Sequence, residues 1–307
     1  MSTASGLQLE PEYPNPQRRG VKKGVYLIPS LFTAANIGMG FFAVMASLRG
    51  FQLLGQPNPD ISWAAAYFDN AARAIGWAVL FDMLDGRIAR LTKTTTEIGV
   101  QLDSIADVVT FGLAPAVLAY VWGYGASLTE GTPAHQFGWF ISFMYLMCGA
   151  FRLARFNVQS SRPRILAEGT TKVDKKSFVG LPIPVAGGLI AAIVHFSPIP
   201  LINFGAERAR IYSVLLILLM GVLSVMMVST LRFSSFKTVG TRVRSMRVVI
   251  FALAVAMLIF LYSQYVLLAI VIAYILHGLL SRVVGVFSRR TDTTESKVEP
   301  HAIRHDG

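Results

Sequence analysis

Phe81-Asp82-Met83-Leu84-Asp85-Gly86-Arg87-Ile88-Ala89-Arg90 is followed, nine residues on, by Gly99-Val100-Gln101-Leu102-Asp103-Ser104-Ile105-Ala106-Asp107. Both segments adjoin long apolar runs, so four carboxylates are embedded in chain that reads as membrane-spanning. A charged side chain at the centre of a spanning helix costs about 2.5–3.5 kcal/mol on insertion scales, and such residues mark functional sites. Asp82 and Asp85 are three apart, and Asp103 and Asp107 four apart, so each pair shares one helix face. The short connection between them, residues 90–99, predicts antiparallel helices whose aspartate faces meet at one depth.

Converging carboxylates in a low dielectric cannot all stay ionised without cations. All-oxygen donors suit a hard divalent ion or a pair of them, and no His or Cys cluster points to zinc. Two-ion carboxylate sites clamp phosphates during displacement. Gly86 leaves room for a phosphate or ribose, and Arg90, one turn on, can meet phosphate charge. Two other readings compete. The aspartates pair with Arg87, Arg90 and Arg152 as buried ion bridges, or they line an ion pathway in a transporter.

Composition agrees with a membrane setting. The chain has 307 residues, 53% hydrophobic and 15% charged, against about 25% charged in soluble domains. Eight spans are predicted, at residues 25–48, 64–84, 100–124, 137–156, 179–196, 211–231, 248–262 and 265–284, each near the length a bilayer requires. The last two form a tight helical hairpin. The fold expected is all-α, a polytopic membrane bundle of about eight transmembrane helices. Flexible tails at residues 1–19 and 288–307 flank a transmembrane domain at 20–287. The first residues are polar and do not read as a cleaved signal.

Net charge is +11, yet all of the 28 Lys and Arg residues except Arg49, Arg73, Arg208 and Arg210 fall on one side of this topology. The positive-inside rule then places both termini in the cytoplasm. The excess is a topology and headgroup signal, so no nucleic-acid partner is expected. The lone Cys148 makes no intrachain disulfide and reads as a small buried hydrophobe. His195 is expected at the interface, far from the aspartates.

Residues 82–107 resemble the signature of the CDP-alcohol phosphotransferase family. Every specified position matches: Asp82, Asp85, Gly86, Ala89, Arg90, Gly99, Asp103 and Asp107. The resemblance implies that Asp82, Asp85, Asp103 and Asp107 hold two divalent ions, Mg2+ or Mn2+. It implies that Asp107 is also the general base, a choice over Asp103 that spacing alone does not make. It further implies that Gly86, Arg90 and, in the variable spacer, Thr96 contact a CDP-linked lipid.

Four further segments resemble the bacterial membrane-embedded phosphatidylserine synthases. They are Tyr26-Leu27-Ile28-Pro29-Ser30-Leu31-Phe32-Thr33-Ala34-Ala35-Asn36, residues 103–115, residues 152–157 with 178–184, and residues 228–237. Ser30 departs from the family's usual Asn, while Thr33 and Asn36 are retained. Thr33 is a candidate CDP-lipid contact, and both residues equally suit hydrogen bonding between helices. The resemblance implies transfer of phosphatidyl from CDP-diacylglycerol to the L-serine hydroxyl, with release of CMP. It also implies a homodimer in the inner (cytoplasmic) membrane. Arg152 or Arg155 suits the serine carboxylate, and Asn157 suits orienting the amino acid. Both arginines equally suit marking the cytoplasmic end of helix 4. The alternatives are another acceptor, such as glycerol phosphate or inositol phosphate, or the ion transporter above.

Overall fold

A computed structural model of the chain describes residues 19–92, 97–161, 177–229, 232–234, 265–266, 268–277 and 280. The described chain is helical apart from one short strand pair. The helices run α1 (Arg19–Leu54), α2 (Ile61–Thr92), α3 (Glu97–Asp107), α4 (Ala114–Ala119), α5 (Gly125–Ser127), α6 (Pro133–Ser161), α7 (Ile183–Phe196) and α8 (Ala206–Val228). A further helix, α9 (Leu268–His277), follows. Two π-helical turns, Val108–Leu113 and Tyr120–Tyr124, join α3, α4 and α5 into one helical stretch that kinks at Gly123, where the backbone leaves helical φ and ψ. Strands β1 (Ser177–Val179) and β2 (Arg232–Ser234) pair antiparallel, with Phe178 opposite Phe233.

Four helical stretches are long and apolar enough to cross a membrane: Leu31–Leu54, Ile98–Ser127, Pro133–Val158 and Ala206–Val228. The protein is an integral membrane protein by this measure. Helix α2 is not one of the four, because Asp69, Arg73, Asp82, Asp85, Arg87 and Arg90 interrupt its apolar character. Its outward apolar side chains, with those of the other helices, suit lipid: Phe41, Met45, Trp77 and Val225 are all exposed.

The core is built from small residues. Helix α1 buries Thr33, Asn36, Gly40, Ala43, Ser47 and Gly50 at spacings of three and four, a single face of a 3.6-residue helix. Against it α2 buries Ala64, Phe68, Ala71, Ala72, Ile75 and Ala78. With lipid as solvent the hydrophobic effect does not drive helices together, so close approach through small side chains carries the packing. Gly40 shows how close. A Cβ there would lie 2.4 Å from Thr110 Oγ1 and 2.8 Å from Thr110 Cα. Thr110 Oγ1 donates to the Asn36 carbonyl at 3.0 Å, fastening the first π-turn to α1.

Several boundaries differ from the sequence expectation. Helix α1 extends beyond residues 25–48 at both ends. The span predicted at 179–196 starts instead at Ile183. Val179 belongs to β1, Gly180 has φ +83°, and Pro182 caps the helix, so the chain turns before α7 begins. The span predicted at 211–231 is shifted to 206–228, with Ser229 as its C-cap. The tail predicted at 1–19 meets a helix at Arg19, and residues 1–18, 248–262 and 288–307 lie outside the described residues.

At the other end of the bundle Asp60 caps α2, accepting from Ser62 Oγ at 2.6 Å and from the Ser62 and Trp63 amides. The Ser62 hydroxyl and the Trp63 amide hold its carboxyl below the usual carboxylate range. His195, in the last turn of α7, is buried against α2. Its Nδ1 meets Asp69 Oδ1 at 2.5 Å, and Asp69 pairs with Arg73 at 2.7 Å. Asp69 is about 20 Å along α2 from Asp82, at 1.5 Å per residue, so this cluster ties α2 to α7 far from the acidic site.

Gly40→Ala is expected to lower the thermal midpoint of the detergent-purified protein, by an overpacking cost of about 1–3 kcal/mol. Gly38→Ala is the control, since nothing lies within 4 Å of a Cβ there. Equal midpoints for the two variants would contradict the close α1 crossing.

Candidate metal centre and transfer site

Asp82 comes from the last third of α2, and Asp103 and Asp107 from successive turns of α3. One carboxylate oxygen from each of the three lies within 4.8 Å of the others. Asp82 of the first acidic pair therefore lies against both members of the second. Asp85, Gly86 and Arg90 follow Asp82 along the described helix α2; their side chains, and Thr96 altogether, lie outside the described residues.

Asp107 is the innermost carboxylate, 8% exposed. Its Oδ1 has no hydrogen-bond partner. Asp82, Asp103 and Arg152 lie in electrostatic reach of it, and the Asn36 amide faces it from α1. Three carboxyl groups crowd together here, and the Arg152 guanidinium acts on Asp107. An orphaned buried carboxylate oxygen beside two more carboxylates is a donor set that fits a hard divalent cation. Thr33 is buried one turn before Asn36 on the same face of α1.

Helix α6 braces this arrangement. Asn157 Nδ2 donates to Ser104 Oγ at 2.8 Å, and Ser104 Oγ donates to the Val100 carbonyl at 3.0 Å. Ser104 sits between Asp103 and Asp107, so Asn157 fixes the rotation of the helix that presents them. Arg152, one helical turn and a residue earlier, is 8% exposed and points its charge toward Asp107. Arg155 uses Nη1 on the Val228 carbonyl at 3.0 Å, capping the C-terminal end of α8. Gly180 permits that junction: a Cβ there would lie 2.3 Å from the Met227 carbonyl oxygen. Of the three side chains expected to meet the acceptor, Arg152 faces the carboxylates, while Asn157 and Arg155 each bond to neighbouring helices.

The chain turns π-helical directly after Asp107, and the sequence contains the reason. Pro115 has no amide hydrogen, so the Phe111 carbonyl four residues earlier loses its α-helical donor. The buried Tyr145 hydroxyl donates to that carbonyl at 3.2 Å. π-Turns inside α-helices frequently mark functional sites. Sequence reading missed this turn, although Pro115 was its visible signal. It also missed the bond between Asn157 and Ser104.

Comparison with known proteins agrees with the geometry. The CDP-alcohol phosphatidyltransferase family profile matches residues 26–216, and the chain belongs to this family. It is similar to the CDP-diacylglycerol–serine O-phosphatidyltransferase of Helicobacter pylori strain ATCC 700392 / 26695, with 32% identity over 223 residues, 70% of this chain and 75% of that one. The yeast Saccharomyces cerevisiae protein of the same name is 34% identical over 163 residues, 53% of this chain and 51% of its own. The Methanocaldococcus jannaschii one is 34% identical over 134 residues, 44% and 55% respectively. The resemblance read from residues 82–107 and the family match thus point the same way.

If Asn157 holds Ser104 in place, Asn157→Leu should weaken activation by Mn2+ or Mg2+ about tenfold, as loss of groups bracing metal ligands does. Ser104→Ala should do the same. Titrating CMP release against metal concentration measures this; unchanged activation in both variants would contradict the bracing role.

Proposed function

We propose that the chain transfers the phosphatidyl group of CDP-diacylglycerol to the hydroxyl of L-serine, making phosphatidylserine and CMP. The observation that carries this reading is the convergence of Asp82, Asp103 and Asp107 beside the buried Arg152, in a chain whose named relatives are serine O-phosphatidyltransferases. Asp85 completes the metal ligands, and two ions, Mg2+ or Mn2+, are held. Bound there, they supply neutralisation of the pyrophosphate and of the departing CMP phosphate.

The chain's own residues do the rest. Asp107 Oδ1 takes the proton of the serine hydroxyl. The serine oxygen forms a bond to the phosphorus bearing the diacylglycerol, and the bond from that phosphorus to the oxygen of CMP breaks. CMP leaves with the bridging oxygen. Arg152 receives the serine carboxylate, with Arg155 and Asn157 close behind it in the same wall. Gly86, Arg90, Thr96 and Thr33 form the CDP-lipid side.

The reading includes about eight spans, an inner-membrane location, a cytoplasmic active site with both termini on that side, and a homodimer. Its domain layout is a transmembrane domain at 20–287 between two tails. The one-sided distribution of Lys and Arg supports the orientation.

Purified protein with CDP-diacylglycerol and Mn2+ or Mg2+ should release CMP with serine, and not with glycerol phosphate or inositol phosphate. Chelation by EDTA should stop it. Asp107→Asn should lower turnover by about 10²- to 10⁴-fold, the range for a general base, with an unchanged thermal midpoint. Release with a phosphorylated acceptor alone would reassign the substrate; no release with any acceptor would remove the transferase reading.

A further inference from the structure

Asn36 is 1% exposed, its Oδ1 has no hydrogen-bond partner, and its side-chain amide nitrogen, without a bond of good geometry, faces the Asp107 carboxylate. Burying an amide without partners is costly, and native proteins rarely accept it. Among the described residues, five buried side-chain polar atoms lack a partner. Four of them belong to Asn36, Asp107 and Arg152, which come from α1, α3 and α6 and surround one point. The fifth, Ser213 Oγ on α8, stands apart from this group. Such clustering describes a binding site whose partners arrive with a ligand.

The unpaired atoms also define the ligand's chemistry. Arg152 Nε is a cationic donor, Asp107 Oδ1 an anionic acceptor, and the Asn36 amide a neutral group with an acceptor oxygen. A zwitterionic amino alcohol complements this set: carboxylate to Arg152, hydroxyl to Asp107, ammonium to Asn36 Oδ1. A phosphorylated acceptor does not. Its phosphate brings up to two negative charges beside Asp107, where Arg152 is the described cation with an unpaired buried donor and Arg155 already gives Nη1 to the Val228 carbonyl. A neutral amide adds no compensating charge.

We propose that Asn36 is a specificity-determining residue that accepts a hydrogen bond from the acceptor's ammonium group. This rests on the serine-transfer reading above. It extends that reading to a residue of α1 that the sequence analysis left open between helix packing and function.

Asn36→Leu keeps the volume and removes both polar atoms. If the amide served only to pack α1 or to hold Asp107, this change would leave the KM for L-serine where it is. The expected result is different. KM for L-serine rises about 10- to 100-fold, the loss for one hydrogen bond to a charged group. KM for CDP-diacylglycerol stays within about twofold, and the thermal midpoint does not fall. A serine KM within twofold of wild type overturns the proposal, as does an equal rise for CDP-diacylglycerol.

The wild-type protein gives a second measurement that needs no variant. 3-Hydroxypropanoate is serine without its ammonium, and serine is expected to be preferred over it by at least about 100-fold in kcat/KM. Equal use of the two acceptors overturns the proposal. A wild type that releases CMP with other acceptors but not with serine overturns the parent reading instead.

Discussion

Carboxylates grouped inside a bilayer repel one another and have lost the water that would screen them. Everything around Asp107 answers to that repulsion. Three carboxylate oxygens lie within 4.8 Å, so the cluster is stable only with positive charge nearby. Arg152 supplies part of it, and the donor set suits divalent cations for the rest. The helices α1, α2, α3 and α6 each present one side-chain group to this centre: Asn36, Asp82, Asp103 with Asp107, and Arg152.

Helix α6 connects the charged centre to the surrounding bundle. One of its faces sends Arg152 toward Asp107, and the Asn157 amide reaches back to Ser104 on α3. Another turn sends Arg155 to the end of α8, where Gly180 and Leu181 also approach, the latter bonding through its amide to the Met226 carbonyl at 3.0 Å. The Arg152 side of α6 and the C-terminal end of α8 therefore share one element. Three residues read from sequence as a single contact group divide their labour, one toward the carboxylates and two toward neighbouring helices.

How much of this was legible depends on the range of the interactions involved. The aspartate pairs were readable because helical spacing alone puts Asp82 near Asp85 and Asp103 near Asp107, and a short connection makes their helices neighbours. Span positions were readable within several residues from apolar length. Where they erred, at residues 179–182 and at Ser229, a glycine at positive φ, a proline cap and a three-residue strand pair overrode the apolar pattern. The pairing of Asn157 with Ser104 spans 53 residues, and that of His195 with Asp69 spans 126. Such contacts follow from how helices cross, which no local spacing encodes. Asn36 lay between: its place in an apolar helix was visible, but only the crossing of α1 with α3 puts it against Asp107.

The π-turn at Val108–Leu113 changes how the helical stretch beyond Asp107 must be read. An α-helix advances about 100° per residue, and a turn closed by five residues instead of four inserts an extra step. Beyond Asp103 and Asp107 the buried face changes character from acidic to apolar. Residues seven or eleven places past Asp107 do not continue the acidic face. They are Ala114 and Leu118, both fully buried in the apolar core. The polar stripe ends one turn past the last carboxylate, at Thr110, so the same helical stretch is a charged wall at its cytoplasmic-facing end in the proposed topology and an apolar strut beyond it.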